Sequence, residues 1–258
     1  MDIFENPTGE TKFFAVPSNK KVCSLCRKSG DNVKTAHWKA HKPLCLKAEK
    51  RAAELAALRA ADPSSAAEVE LFGEFARKWI DALFAWGLFA ANLPASTAKQ
   101  VDYLSRHSFF VVIERRSNIP SNTPAKSTFE LLDVGMRTND AIIATFNRMA
   151  GEIHRQELAT NFERILNAQG SFPNILRIVV VQPSTCLSYA TVDTVGGALP
   201  GTSGTTEETM KWFKPESNLL ATTLSSMWLK ALKEAMAKGD TSAHVKLLKN
   251  VEDALGVD

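Results

Sequence analysis

The chain is 258 residues long, with 45% hydrophobic residues, 23% charged residues and a formal net charge of +3. This composition is ordinary for a folded protein, and the length allows one large domain or one domain with an appendage. The charge is uneven: residues 1–60 carry 12 Lys or Arg against 6 Asp or Glu, and residues 61–258 carry 19 against 22. A basic N-terminal part is typical of an arm that meets nucleic acid or an acidic partner, and more often of a solvated lysine-rich finger and helix.

The cysteine content excludes a secreted disulfide scaffold. The chain has four cysteines, three of them within 23 residues, whereas such scaffolds need more cysteines and a signal peptide. The N-terminus MDIFENPTGETKFF has no apolar stretch behind a basic one, so no secretory signal is expected. The most apolar stretch, Trp79 to Leu93, is about 15 residues long, which is too short to span a bilayer. We therefore expect an intracellular protein, nuclear or cytoplasmic, with reduced thiols and no membrane association.

The first 66 residues predict a small N-terminal part. Residues 1–19 are polar, contain two prolines and form a loose lead-in, and residues 20–48 hold the cysteine and histidine residues. Residues 49–66 follow as a helix and linker, because AEKRAAELAALRAA is rich in strong helix formers. The helix is expected to end near Asp62-Pro63, because the residue before a proline is disfavoured in the helical region.

Residues 67–258 predict an α+β domain that is rich in helices around a small, mainly antiparallel sheet. Apolar residues spaced three and four apart predict helices at 67–92, 97–105, 138–168, 215–238 and 241–255. β-Branched and aromatic content predicts strands at 107–116, 127–137, 174–182 and near 187–195. The sequence does not fix the order of these strands in the sheet.

Two short pairs of residues predict a zinc site. Cys23 and Cys26 form a Cys-x2-Cys knuckle, and His41 and Cys45 lie four residues apart, which is one turn of a helix. Zinc prefers tetrahedral thiolate and imidazole ligands, and structural sites are commonly built from two such pairs. The spacing therefore predicts one Zn²⁺ ion bound by these four residues.

Other interpretations of the cysteines are weaker. A thioredoxin-like redox motif would follow a strand and open a helix, whereas KKVCSLCRKSGDN is polar and basic. The same segment has little apolar content in which plain thiols would be buried. His37 competes with His41 as a ligand, but its eight-residue offset from Cys45 does not match one helical turn.

The segment AHWKAHKPLC (36–45) resembles the closing half of a MYND zinc finger. The match lies in Trp38, His41, Lys42 and Cys45, which correspond to the tryptophan, histidine-lysine and final cysteine of that tail. A full MYND finger binds two zinc ions through seven cysteines and one histidine, whereas this segment has three cysteines and the histidine. The chain is therefore either a shortened finger with a single zinc site or a chain shortened by deletion or gene-model error, in which the four residues need not converge on one ion.

The MYND resemblance implies a protein-interaction function. The finger would recognise a short, proline-containing peptide on a protein partner, with Trp38 and Lys42 near the contact surface. The large domain resembles, through LSRHSFFVVIERR and FELLDVGMR, the companion domain of uncharacterised fungal MYND proteins, which has no established activity. A second hypothesis is nucleic-acid binding through the basic finger and the following helix.

An enzyme is the least favoured class. MYND fingers also occur in SET-domain lysine methyltransferases, but the chain has no Asn-His dipeptide and only two tyrosines, Tyr103 and Tyr189. Cys186 stands alone, without an identifiable base, and is interpreted as a buried thiol. Glu114-Arg115-Arg116 is interpreted as a solvated strand end rather than a phosphate site. No catalytic residues are predicted.

Overall fold

The computed structural model describes residues 38–93, 97–120, 122–149, 159–160, 162–163, 166, 175–194 and 218–255. The predicted lead-in, Cys23 and Cys26 lie outside the described residues. The chain divides into two compact units. Among the described residues, the boundary between these units lies between Leu71 and Phe72.

Helix α1 (Trp38–Ala61) makes up most of the described part of the smaller unit. The helix expected after the finger is confirmed, and it ends where the sequence predicts. It begins at Trp38, so the helical turn expected from His41 to Cys45 and the helix expected from residue 49 are one continuous helix. Pro43 lies within the second turn and has no N–H to donate to the carbonyl of Lys39.

The linker expected up to residue 66 is reduced to one residue. Helix α2 (Pro63–Ala91) begins directly after Asp62. Pro63 occupies the first position of the helix, where its fixed φ is favourable and no N–H is required. Asp62 caps the helix by accepting hydrogen bonds from the backbone N–H of Ser64 at 3.1 Å and of Ser65 at 3.0 Å. Residues 63–66, expected as part of the linker, are therefore the first turn of α2.

The larger unit has the expected α+β content. After α2 its elements are α3 (Thr97–Arg106), β1 (His107–Arg115), β2 (Phe129–Thr138), α4 (Asn139–Met149), β3 (Ile175–Gln182), β4 (Leu187–Thr194), α5 (Asn218–Lys238) and α6 (Ala243–Leu255). All four predicted strands are confirmed. Of the helix predicted at 138–168, the structure describes α4 and a few helical residues between 159 and 166. Pro215, the expected start of the fourth helix, lies outside the described residues.

The four strands form one mixed sheet in the order β2-β1-β3-β4. The outer pairs, β1 with β2 and β3 with β4, are antiparallel, and the central pair, β1 with β3, is parallel. The sheet is therefore mainly antiparallel, with a parallel centre that the sequence does not predict. A register shift between Val112 and Ile113 leaves Leu132 as a β-bulge in β2.

Helices cover both faces of the central strands. Phe110, Val112, Val179 and Val181 point to one face and pack with Ile142 and Phe146 of α4 and with Phe162. Phe109 points to the other face, where its ring lies 5.9 Å from that of Trp228 in α5. Gly87 of α2 approaches the same face, since a Cβ there would lie 2.9 Å from Cδ2 of Leu176. This double burial explains why β1 and β3 are nearly continuous apolar runs.

Candidate metal centre

The structure describes half of the predicted ligand set. His41 and Cys45 both lie in α1, four residues apart, whereas Cys23 and Cys26 lie outside the described residues. Four residues of α-helix amount to about 6 Å along the axis and slightly more than one turn. Their backbone positions therefore share one face of α1, which is the arrangement that a His-x3-Cys ligand pair requires.

The complete MYND-like tail maps to that same face. Trp38, His41, Lys42 and Cys45 occupy positions i, i+3, i+4 and i+7 of one helix. Positions with this spacing fall on a single stripe about 100° wide. The two candidate zinc ligands and the two candidate partner contacts are thus placed together, an association that a loop would not guarantee.

α1 is a basic helix, and its described side chains face solvent. α1 contains six Lys or Arg and two Glu, which gives it a net charge of +4. The described side chains from Ala52 to Ser65 are all exposed or half-buried. Lys50 is exposed and forms an ion pair with Glu54 at 3.7 Å. Such surface pairs contribute at most about 1 kcal/mol each, so they do not fix the position of this helix.

The junction after α1 is held by polar contacts. Besides the backbone hydrogen bonds that start α2, Asp62 accepts a hydrogen bond from the Ser65 hydroxyl at 2.6 Å. The hydroxyl and backbone N–H of Ser65 lower the pKa of the Asp62 carboxyl, because they favour its charged form. Arg59 pairs with Glu70 across the same junction. These contacts define where α1 stops.

The part of the chain that the structure describes holds no cluster of three or more His, Cys, Asp or Glu side chains suited to a metal. Cys186 lies in the connection from β3 to β4, in the left-handed region with φ of 54°, and its Sγ lies 3.8 Å from the carbonyl oxygen of Pro183. It packs against the core cluster around Phe110. Cys186 is therefore a half-buried thiol of the larger unit.

Two described histidines are engaged in packing. The ring of His107 stacks on Tyr103 with centroids 4.1 Å apart, and its Nδ1 donates to the Tyr103 carbonyl oxygen at 2.9 Å. His244 packs edge-on against Trp86, with centroids 6.2 Å apart. Burial lowers the pKa of His244, although the backbone of Thr241 opposes the shift. At neutral pH His244 is therefore an uncharged packing residue.

A buried arginine caps the C-terminus of α3. Arg177 of β3 is 7% exposed, and its Nη1 donates to the carbonyl oxygens of Leu104 at 2.5 Å and His107 at 3.4 Å. Burial lowers the pKa of Arg177 to about 10, so it remains charged at neutral pH. Nδ2 of Asn139 donates to Ser105 at the same helix end. A cation is favourable at a helix C-terminus, so this is a structural site that the sequence analysis missed.

The charged end of β1 also has a structural role. Glu114 accepts hydrogen bonds from Nε2 of Gln182 at 3.4 Å and from the backbone N–H of Ser184 at 3.3 Å. Arg116 donates from Nε to the carbonyl of Phe129 at 3.1 Å and from Nη2 to that of Met236 at 3.0 Å. The triplet 114–116 was interpreted as solvated, but Glu114 and Arg116 tie the strand end to neighbouring turns and to α5.

Comparison of the chain with protein-family models, with curated proteins and with solved structures finds no significant match. Among the described helices, none combines the length and apolar character that a membrane-spanning segment requires.

Proposed function

We propose that this chain is a zinc-binding protein whose residues 20–48 form a shortened MYND-like finger with a single Zn²⁺ ion. The observation that carries the proposal is the placement of His41 and Cys45 one turn apart in α1. Cys23 and Cys26 supply the second ligand pair from the Cys-x2-Cys knuckle. The ion would cross-link the knuckle to the first turns of α1 and stabilise that segment.

The finger would serve to bind a protein partner. Trp38 and Lys42 share the stripe of α1 that carries the two ligands, so metal binding would also fix their positions. A tryptophan offers a large, rigid contact for a proline-containing peptide, and a neighbouring lysine adds charge selectivity. The role is non-enzymatic and intracellular, where the thiols stay reduced and available to the metal.

Elemental analysis of the purified full-length protein tests zinc binding. We expect one zinc per chain in the wild type and less than about a tenth of that in Cys45→Ala, because losing one of four ligands opens the site. Cys186→Ser is the matched control and should retain one zinc, because Cys186 is half-buried against the core cluster of the larger unit. A wild type without zinc, or a Cys186→Ser protein that loses it, would overturn the proposal.

A second pair of variants tests the histidine assignment. His41→Ala should lose the metal, whereas His37→Ala should keep it, because only His41 lies one helical turn from Cys45. The reverse result would show that the tail does not bind metal as a helix.

Partner binding is tested with a displayed library of proline-containing peptides. Peptides selected on the zinc-loaded wild type should bind Trp38→Ala at least about tenfold more weakly, as expected for a central aromatic contact. Lys50→Ala, an exposed change on the same helix, should bind within about twofold of the wild type. Selection of no peptide by the zinc-loaded protein would refute the peptide-binding role.

Nucleic-acid binding is a second candidate, and the net charge of +4 on α1 favours it. Binding of a labelled duplex should then weaken by about a hundredfold or more between 50 and 200 mM salt, because bound Lys and Arg displace counterions. A peptide held mainly by apolar contacts should show a much smaller change. A methyltransferase activity is not favoured, because the Asn-His segment is missing and Tyr189 is only 2% exposed.

A further inference from the structure

Strand β2 forms one edge of the sheet. Within the part of the chain that the structure describes, β2 pairs with β1 alone. An edge strand leaves every second N–H and carbonyl group of its backbone directed away from the sheet, ready to pair with another strand. From Asp133 to Thr138 the register with β1 is continuous, so this stretch is regular extended backbone beyond the bulge at Leu132.

The outer half of β2 contacts α5 on one face and carries exposed charged side chains on the other. Val134 and Met136 are paired with Val111 and Phe109 and share the face that α5 contacts. Asp133, Gly135 and Arg137 lie on the opposite face, where Asp133 and Arg137 are exposed.

Gly135 is the centre of this stretch. A Cβ at Gly135 would meet no atom within 4 Å, so this position has open space around it. Glycine inside a strand often marks a place where another backbone approaches closely.

The charges on either side of Gly135 are complementary under two-fold symmetry. If two copies of β2 pair antiparallel about Gly135, Asp133 of each copy stands directly opposite Arg137 of the other. Directly opposite residues have Cβ atoms about 5 Å apart, whereas residues four apart along one strand are separated by about 13 Å. Within one chain Nη2 of Arg137 reaches along the strand to Asp133 at 3.0 Å. Measured between Cβ atoms, the cross-strand partner would be the nearer of the two.

An exposed leucine in β2 favours a protein occupant. Leu132 is 54% exposed at the bulge, next to the stretch from Asp133 to Thr138. In the two-fold arrangement Val134 of one copy faces Met136 of the other on the α5 side. The surface thus offers an open backbone edge, self-complementary charge and an exposed apolar side chain together.

We propose that β2 is the interface of a homodimer, in which two copies pair antiparallel about Gly135 and join their sheets into one of eight strands. The occupant of the edge is a second copy of this chain, because the alternation of Asp133 and Arg137 about Gly135 is self-complementary. The interface uses none of the residues that are proposed to bind zinc.

Sedimentation velocity of the full-length protein, from low to high micromolar concentration, tests this interface. The wild type should sediment as a dimer of about 57 kDa, twice the 28.3 kDa of one chain. Asp133→Arg and Arg137→Asp should each raise the dissociation constant of the dimer by about tenfold or more, since like charges directly opposite destabilise a strand pair. The double variant with both changes should have a dimer dissociation constant within about threefold of that of the wild type, because it restores opposite charges.

Glu130→Lys is the matched control, because it changes the charge by the same amount as Asp133→Arg on an exposed site outside the paired stretch. It should remain a dimer, and thermal unfolding should show that all variants are folded. A monomeric wild type would overturn the proposal. So would single variants that stay dimeric, since the charges would then protect the edge rather than join it.

Discussion

The effect on stability of the close approach between α2 and the sheet can be measured by replacing two glycines of that helix. Gly87 and Gly73 both lie inside α2, so replacing either with alanine brings the same gain in helix propensity. Their surroundings differ. A Cβ at Gly87 would lie 2.9 Å from Cδ2 of Leu176 and 3.1 Å from Cγ of Phe109, whereas a Cβ at Gly73 would meet nothing within 4 Å. The difference between the two variants therefore isolates the cost of packing.

The expected free energies of unfolding follow from that comparison. Gly73→Ala should stabilise the protein by about 0.5–1 kcal/mol, the usual gain for glycine to alanine in a helix interior. Gly87→Ala should gain the same amount of stability from helix propensity. It should also lose about 1–3 kcal/mol of stability, because overpacking forces the neighbouring side chains to move. Leu176 and Phe109 are both fully buried and have little room to yield. Gly87→Ala should therefore be about 1–3 kcal/mol less stable than Gly73→Ala.

Urea unfolding followed by circular dichroism gives both values under the same conditions. Equal m-values for the two variants would show that both unfold to the same extent, so that midpoints can be compared directly. If Gly87→Ala proves as stable as Gly73→Ala, α2 lies farther from β1 and β3 than the structure places it, and the packing argument is refuted.

Three further predictions concern charges and metal. Arg177→Met should destabilise the larger unit by about 1–3 kcal/mol in urea, because the carbonyl of Leu104 loses its buried donor; a neutral result would refute its capping role. Lys246 and Ser242 hold the pKa of Asp240 at about 2, so its stabilising effect should be present above pH 4 and disappear as the pH falls through 2. The melting temperatures of wild type and Asp240→Asn should therefore converge at low pH, and a constant difference would contradict this. Chelation of zinc should leave the main thermal transition unchanged, because the larger unit has its own core; a large shift would show that the metal stabilises both units.

Local patterns predicted most elements of the larger unit. FFVVI in β1 and ILRIVVVQ in β3 are apolar on both sides, as strands buried between helices must be. The helix start at Asp62-Pro63 carries an N-cap residue followed by proline, a signal that also favours helix and that was interpreted as a linker instead. The error arose because the restriction before proline and the capping preference act on the same two residues.

Long-range contacts were not predictable from one sequence. The parallel pairing of β1 with β3 depends on how the chain returns after α4, which no local pattern specifies. Arg177 sits in an apolar run, and its partners at the end of α3 lie about 70 residues away in sequence. For the candidate metal site, the four-residue spacing predicted the helical placement of His41 and Cys45. The convergence of both pairs on one ion remains a prediction, since it is a contact of this long-range kind.

The basic charge of the N-terminal segment bears on both functional proposals. Residues 20–48 contain eight Lys or Arg and one Asp, a net charge of +7. Nearby cations lower the pKa of cysteine thiols and so favour the thiolates that zinc requires. Three thiolates, one neutral imidazole and Zn²⁺ together carry a charge of only −1, so the site would offset little of this excess. About six positive charges would remain for a partner, which makes a phosphate backbone or an acidic flank on a proline-containing peptide the natural counterpart. Binding of either counterpart should weaken as the salt concentration rises, but the dependence should be steeper for a phosphate backbone, because it also releases a condensed counterion layer.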